Sequence, residues 1–183
     1  AQAGTSFNDS SLSASTTYGY RIVGNNATGA GDYSSISYQT TNATTVISVT
    51  VSDGTVTYGT MAANTSKTTL SGELNDKQTA TNDGNVTENF NIKSQNGTGG
   101  GCTWTLASSN GSDQYVHQFC NSTDNSCTSP PTNYTALTTS YQTLKTSVSV
   151  SGTVDVHLRL TTPNPSTCYG QQSVDVIIQA VQN

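Results

Sequence analysis

The residues of this chain that could do chemistry are two histidines, four cysteines and eleven acidic residues. Nucleophilic catalysis needs a serine or cysteine beside an oriented base, and the chain has no GxSxG motif. His157 alternates with Asp155 and Arg159, so we expect it on the solvent-facing side of a strand. This placement favours a protein that is not an enzyme.

The sequence around the second histidine and the single tryptophan favours a place in the packed interior over a place in a binding or catalytic site. His117 lies two residues from both Tyr115 and Phe119, so we expect it to share their inner face as a partly buried, hydrogen-bonded side chain. Trp104 lies two residues after Cys102, in a Cys-x-Trp-x-Leu stretch where apolar residues alternate with polar ones. This pattern favours a tryptophan packed in the core over one exposed for stacking on sugars.

The acidic residues show no catalytic pattern. Glycoside hydrolysis uses two carboxylates across a cleft, and here only Glu73 and Glu88 accompany nine aspartates. The turns NDGN around Asp83 and NSTDN around Asp124 supply clustered oxygen ligands, but neither matches an EF-hand loop. Asn and Asp in turns mostly serve backbone geometry. We therefore expect no cofactor, and Asp83 and Asp124 are the candidates for calcium.

The cysteines predict two disulfides. No CxxC spacing occurs and only two histidines are present, so the set does not match a zinc site. Four cysteines allow three pairings. We favour Cys120 with Cys127 across a polar turn, which leaves Cys102 to pair with Cys168. Disulfides place the protein in an oxidising, extracellular compartment.

Asparagines in Asn-x-Ser/Thr sequons are frequent, and they are candidates for glycosylation in a secreted protein. They are Asn8, Asn26, Asn42, Asn64, Asn85, Asn96, Asn110, Asn121 and Asn133.

The composition indicates a folded β protein. Thr (33), Ser (25) and Asn (17) dominate the 183 residues, while Val, Ile, Leu, Phe and Tyr recur at alternate positions. Thr favours the half-buried surface of a sheet, so the pattern argues against disorder. With 9% charged residues and a net charge of −5, no basic surface is available for nucleic acid. No apolar run approaches the length of a bilayer span, so we expect no membrane insertion.

Short alternating segments between turn signals predict an all-β fold, an immunoglobulin-like β-sandwich. Asp53-Gly54 predicts a hairpin between flanking strands, and Leu137, Tyr141 and Leu144 have the spacing of a short helix. The predicted strands are 17–24, 33–41, 45–51, 54–61, 78–82, 86–93, 102–107, 113–119, 146–151, 153–161 and 173–181.

The segment LSASTTYGYRIVGNNATGAGDYSS, residues 12–35, resembles the second half of a fibronectin type III domain. Leu12, Thr16 and Tyr18 match the Leu-x-Pro-x-Thr-x-Tyr corner of that family, with Ala14 in place of the proline. The resemblance implies that the tyrosine hydroxyl bonds to backbone near the turn.

The resemblance covers residues 12–41, which predicts a partial domain over 1–43 and a second β-sandwich domain with two disulfides over 44–183. The first half of the fibronectin-like domain is missing before Ala1. Either the chain was cut from a longer protein, or strands from residue 44 onward or from a neighbouring subunit complete the segment.

Residues 44–183 resemble a domain of predicted surface proteins of uncultured bacteria. The stretches that carry this likeness are VSDGTVTYGTM, LNDKQTATNDGNVTENFNIK, DQYVHQFC, YTALTTSYQTLK and QQSVDVIIQAV.

These features favour an extracellular structural protein, a module of a cell-surface filament, pilus-like fibre or stalk. Its expected partners are copies of itself or neighbouring β domains, joined by β-strand complementation. The expected donor strands are residues 1–12 or the terminal QQSVDVIIQAVQN. The alternative is an adhesin or carbohydrate-binding module that recognises cell-surface glycans through the loops 94–101 or 121–133.

Overall fold

The computed structural model describes residues 6–128 and 132–183, and every regular element among them is a β-strand. The chain divides into two compact units, Ala1–Thr45 and Val46–Asn183. We call them unit 1 and unit 2 and describe each by itself.

Unit 1 consists of two small antiparallel sheets. The strands are β1 (Thr17–Tyr20), β2 (Val23–Asn26), β3 (Gly29–Tyr33) and β4 (Ser37–Thr40). Strand β1 pairs with β4, and β2 pairs with β3. The Tyr18 hydroxyl accepts a hydrogen bond from Ser13 N at 2.9 Å, the contact expected of a tyrosine corner.

Unit 2 is a β-sandwich of unequal sheets. The large sheet has the order β11-β10-β13-β7-β5, with β6 also paired to β13 and β9 to β10. The small sheet has the order β12-β8-β14. The strands are β5 (Val49–Val51), β6 (Ser66–Thr68), β7 (Gln78–Asn82), β8 (Glu88–Ser94), β9 (Thr105–Leu106), β10 (Gln114–Asn121), β11 (Thr135–Ala136), β12 (Gln142–Val148), β13 (Thr153–Thr161) and β14 (Val176–Gln182).

The core lies between these two sheets. Val154, Val156 and Leu158 alternate along β13 and are buried, as the sequence predicts for one face of that strand. Phe90 and Ile92 of β8 meet them from the small sheet and are fully buried. Burying a side chain of this size contributes about 1.5–3 kcal/mol, so a few such residues account for much of the stability of the unit.

The predicted hairpin at Asp53-Gly54 is wrong. Both residues have the positive φ of a tight turn, but residues 54–61 form no strand, and β5 pairs with β7 instead. After the turn the chain leaves the sheet, and the Tyr58 hydroxyl reaches His117 at 3.1 Å. The Asp53-Gly54 turn depends on local residues only. The strand that pairs with β5 is determined by contacts between residues far apart in sequence.

The helical spacing of Leu137, Tyr141 and Leu144 does not correspond to a helix, in agreement with the all-β fold expected from the sequence. Leu137 lies in the loop after β11, and Leu144 is buried within β12. Strand β12 has two register shifts against β8, so its buried residues, Leu144 and Val148, are four apart. Only Leu144 of the three residues with helical spacing lies in a strand, so that spacing combines loop and strand residues by coincidence.

The four cysteines form the disulfides Cys102–Cys168 and Cys120–Cys127, the pairing favoured from the sequence. We expect removal of the two bonds to have unequal effects. Their sequence separations of 66 and 7 residues predict losses of about 4.4 and about 2.5 kcal/mol, because the longer loop gains more entropy on unfolding. Denaturant unfolding of the two Cys→Ser double variants measures this, and equal losses would contradict the loop-entropy account.

Candidate functional site

His157 lies in an open cleft of unit 2, on the outer face of β13. The cleft has a volume of about 760 Å³ and opens between the segment that follows β6 and the Cys127–Thr128 segment. Its lining is Leu70, Ser71, Gly72, Glu73, Asn75, Lys77, Cys127, Thr128 and His157. His157 is half-buried here, rather than fully solvent-facing as predicted, because the loop after β6 folds over it.

The hydrogen bond of His157 holds its ring against the loop after β6. Thr69 Oγ1 lies 3.1 Å from His157 Nδ1 and accepts the backbone N–H of Leu158. The threonine oxygen has a second lone pair, so both ring tautomers of His157 fit this contact. Burial lowers the pKa of His157 below its usual value. The lowered pKa favours the neutral imidazole, which lines the cleft.

This arrangement does not form a nucleophile–base pair. Thr69 is fully buried, so its hydroxyl cannot meet a substrate, and its oxygen is already an acceptor. Asp155 accepts hydrogen bonds from Lys77 at 2.5 Å and Thr79 at 2.7 Å, and these bonds lower its pKa. The cleft can therefore offer hydrogen bonds to a polar ligand, whereas its one threonine–histidine contact serves the fold.

His117 is fully buried on the core-facing side of β10, with Tyr115 and Phe119 on the same side, as predicted. Its Nε2 is hydrogen-bonded to the Tyr58 hydroxyl, and its Nδ1 has no hydrogen-bond partner among the described residues. Burial lowers its pKa to about 4. The residue is therefore a neutral core histidine.

The two calcium candidates lie in separate turns. Asp83 is exposed, and the turn is held by the buried Asn82, whose amide donates to Val86 O and Val148 O. Asp124 accepts Lys145 Nζ at 2.6 Å and Asn121 Nδ2 at 2.8 Å. Among the described residues, no group of three or more His, Cys, Asp and Glu side chains could hold a metal.

The sequons differ in accessibility. Asn121 is buried, and its amide also donates to Leu144 O at 3.1 Å, so the folded protein cannot present it to a glycosyltransferase. Asn110 is half-buried and donates to Asn64 and Thr162. The exposed ones are Asn8, Asn26, Asn42, Asn64, Asn85, Asn96 and Asn133.

Trp104 is half-buried beside the Cys102–Cys168 disulfide. Its Nε1 donates to Cys168 O at 3.2 Å, and its ring lies 6.2 Å from that of Tyr115. These contacts fit packing rather than sugar stacking.

Unit 1 exposes apolar surface and lacks a core of its own. None of the described residues from 6 to 45 is fully buried. Tyr38 and Ile36 lie over Gly19, where an added Cβ would come within 3.0 Å of both side chains. The large exposed side chains of this unit are Phe7, Ile22, Tyr33, Ile36 and Tyr38.

One side of unit 2 ends in two strand edges that pair with no further strand among the described residues. β5 ends the large sheet and β14 ends the small sheet, and these two strands contact each other across the core. Val46 and Ile47, just before β5, and Val51 at its end are exposed. We call residues Val46–Val51 the β5 edge.

Comparison of the chain with protein-family models, with curated proteins and with solved structures finds no match. Within the part of the chain that the structure describes, no helix has the length and apolarity required to cross a membrane.

We expect His117 to make unit 2 less stable in mild acid. Its ordinary pKa of 6.5 applies to the unfolded chain, and its folded value is about 4, so the unfolded state binds more protons between these pH values. The contribution of the neutral His117 to the free energy of unfolding is fully present above pH 6.5. The free energy of unfolding then falls by about 3 kcal/mol as the pH drops to about 4.

Denaturant unfolding at a series of pH values measures this loss. His117→Gln should flatten the dependence, while the matched change His157→Gln at the half-buried histidine should leave most of it. A profile unchanged by His117→Gln would contradict the assignment.

Proposed function

We propose that this protein is an extracellular structural module, a subunit of a cell-surface filament, pilus-like fibre or stalk that assembles by β-strand pairing between copies. The observation that supports this most is unit 1. Its four strands form two separate two-stranded sheets, and none of its described residues is fully buried. An isolated two-stranded sheet is marginally stable in water, so unit 1 requires a β partner.

The apolar side chains of unit 1 indicate what such a partner would do. Tyr38 on β4 is 65% exposed, and Ile36 just before β4 is 49% exposed. The outer edge of β4 has no strand partner among the described residues. A neighbouring β element would both pair with an edge and cover these side chains. Each subunit would then be stabilised by the next, which is the property a filament needs.

The two disulfides support the extracellular part of the proposal. Both are intramolecular, and they indicate an oxidising environment. A secreted protein at a cell surface meets that condition. Disulfide-locked loops would also keep subunits intact outside the cell, where they cannot be replaced.

Strand β14 is the candidate donor that the structure describes in full. It pairs with β8 along its whole length, and Val176, Ile178 and Ala180 pack against the core. Ile177 and Val181 on its other face are half-buried. As a donor strand, β14 would separate from β8 of its own subunit and pair with β8 of a neighbouring copy. Residues 1–5 of the other predicted donor lie outside the described residues.

We expect the full chain to self-associate with concentration and to form regular particles by electron microscopy. Tyr38→Ser should lower the average mass measured by light scattering, because it removes an exposed aromatic ring from unit 1. Tyr169→Ser is the matched control, since Tyr169 is 87% exposed but lies in unit 2. A 19.0 kDa monomer at every concentration would refute the proposal.

A binding module for cell-surface glycans is the second candidate, and the His157 cleft favours it. The cleft is lined by the His157 imidazole, by Lys77 and by Cys127 of the Cys120–Cys127 disulfide. Polar groups around an open cleft suit hydroxyl-rich ligands.

If this second function holds, a glycan array should show saturable binding by monomers. Lys77→Ala should weaken that binding, and Lys93→Ala, on the small sheet, should not. Equal binding by both variants would exclude the cleft as the glycan site.

A further inference from the structure

The β5 edge presents its backbone groups in a regular pattern. Val46 N bonds to Asn85 Oδ1, Ser48 N bonds to Glu88 Oε1 and Ser48 O accepts Asp83 N, so the even-numbered residues bond toward the interior of unit 2. Successive backbone groups of a strand point to opposite sides. Ile47, Val49 and Val51 therefore direct their N–H and C=O groups away from the sheet.

The contacts beneath this edge hold it in an extended shape. Glu88 is fully buried on β8, in the opposite sheet, and its carboxylate accepts the Ser48 N–H at 2.9 Å. β7 is the one strand that pairs with β5 among the described residues. The outer side of β5 is thus an ordered template for a further strand.

The β5 edge also lacks the devices that normally prevent pairing between chains. Natural sheet edges carry lysine, proline or inward-pointing charges. Here residues 33–52 contain no charged residue and no proline. The exposed fractions of Ile47 and Val51 are 36% and 39%, on the same face as the core-packed Val49. This edge is open both to backbone pairing and to apolar contact.

We infer that the β5 edge binds the β5 edge of a second copy, antiparallel and centred on Val49, so that the large sheets of two subunits become continuous. The inference rests on the proposed assembly and names one of its contacts. In this register Val49 faces Val49 of the second copy, and Ile47 faces Val51 of the second copy, so all outward backbone groups of the three residues are paired.

The chemistry of the edge identifies a second copy as the occupant. The register places two Ile–Val pairs opposite each other on the core-facing side, covering the side chains that are exposed in the single chain. It places Ser48 opposite Thr50 on the other side, and no like charges meet. A twofold contact of this kind joins two subunits, and a second contact through unit 1 would extend the pair into a chain of subunits.

The test is sedimentation velocity of the full chain and its variants over a wide range of concentration. Val51→Lys places a charge opposite Ile47 twice in each symmetric contact, so we expect dimer affinity to fall roughly tenfold or more. Val150→Lys is the matched control, because it makes the same change at an exposed valine outside the β5 edge. Circular dichroism and thermal unfolding report whether each variant folds.

Thr50→Lys is the second variant, in case Val51→Lys does not fold, because Thr50 is already exposed and polar. Weaker association of a folded edge variant, with Val150→Lys unchanged, supports the inference. Association that both edge variants leave unchanged overturns the β5 contact but keeps the proposed function. A wild-type chain that stays monomeric overturns both.

Discussion

The pairing of β13 with three other strands is the interaction on which the rest of unit 2 depends. β10 lies along one side of β13, while β7 and β6 share the other side. The inward face of β13 packs against Phe90 and Ile92 of the small sheet. Its outward face carries Asp155, His157 and Arg159, of which His157 lines the cleft. One strand thus organises the core, the cleft and the width of the large sheet.

The unequal width of the two sheets follows from this arrangement and explains where the free edges lie. Five strands lie side by side in the large sheet and three in the small one. The core therefore narrows toward β5 and β14, where Val49, Val176 and Ile178 are only partly buried. A further strand at this side would complete the burial. Buried polar side chains, namely Asn82, Glu88 and Asn121, hold neighbouring segments through hydrogen bonds.

Part of this structure could be predicted from residue patterns. The alternation in β13 is local, so its strand and its buried face were predictable, and the polar turn between Cys120 and Cys127 favoured the observed disulfide pairing. The partner of β5 was not predictable, because strand order depends on contacts between distant segments. The helical spacing of Leu137, Tyr141 and Leu144 was misleading, because the first two lie in loops and only Leu144 lies in a strand. The cleft at His157 depends on Thr69, 88 residues away in sequence, and no local signal links the two.

The low charge of the chain limits how copies of it could recognise each other. With six basic and eleven acidic residues among 183, long-range electrostatic steering is weak, and contact depends on backbone hydrogen bonds and apolar side chains. Such contacts are not specific unless geometry selects them, because any open edge can pair with any other. Glu88 and Asn85 hold the β5 edge in one shape through hydrogen bonds from Ser48 N and Val46 N. The specificity of pairing between copies would then come from the register that the rigid, uncharged β5 edge permits. The rest of the surface is mostly polar.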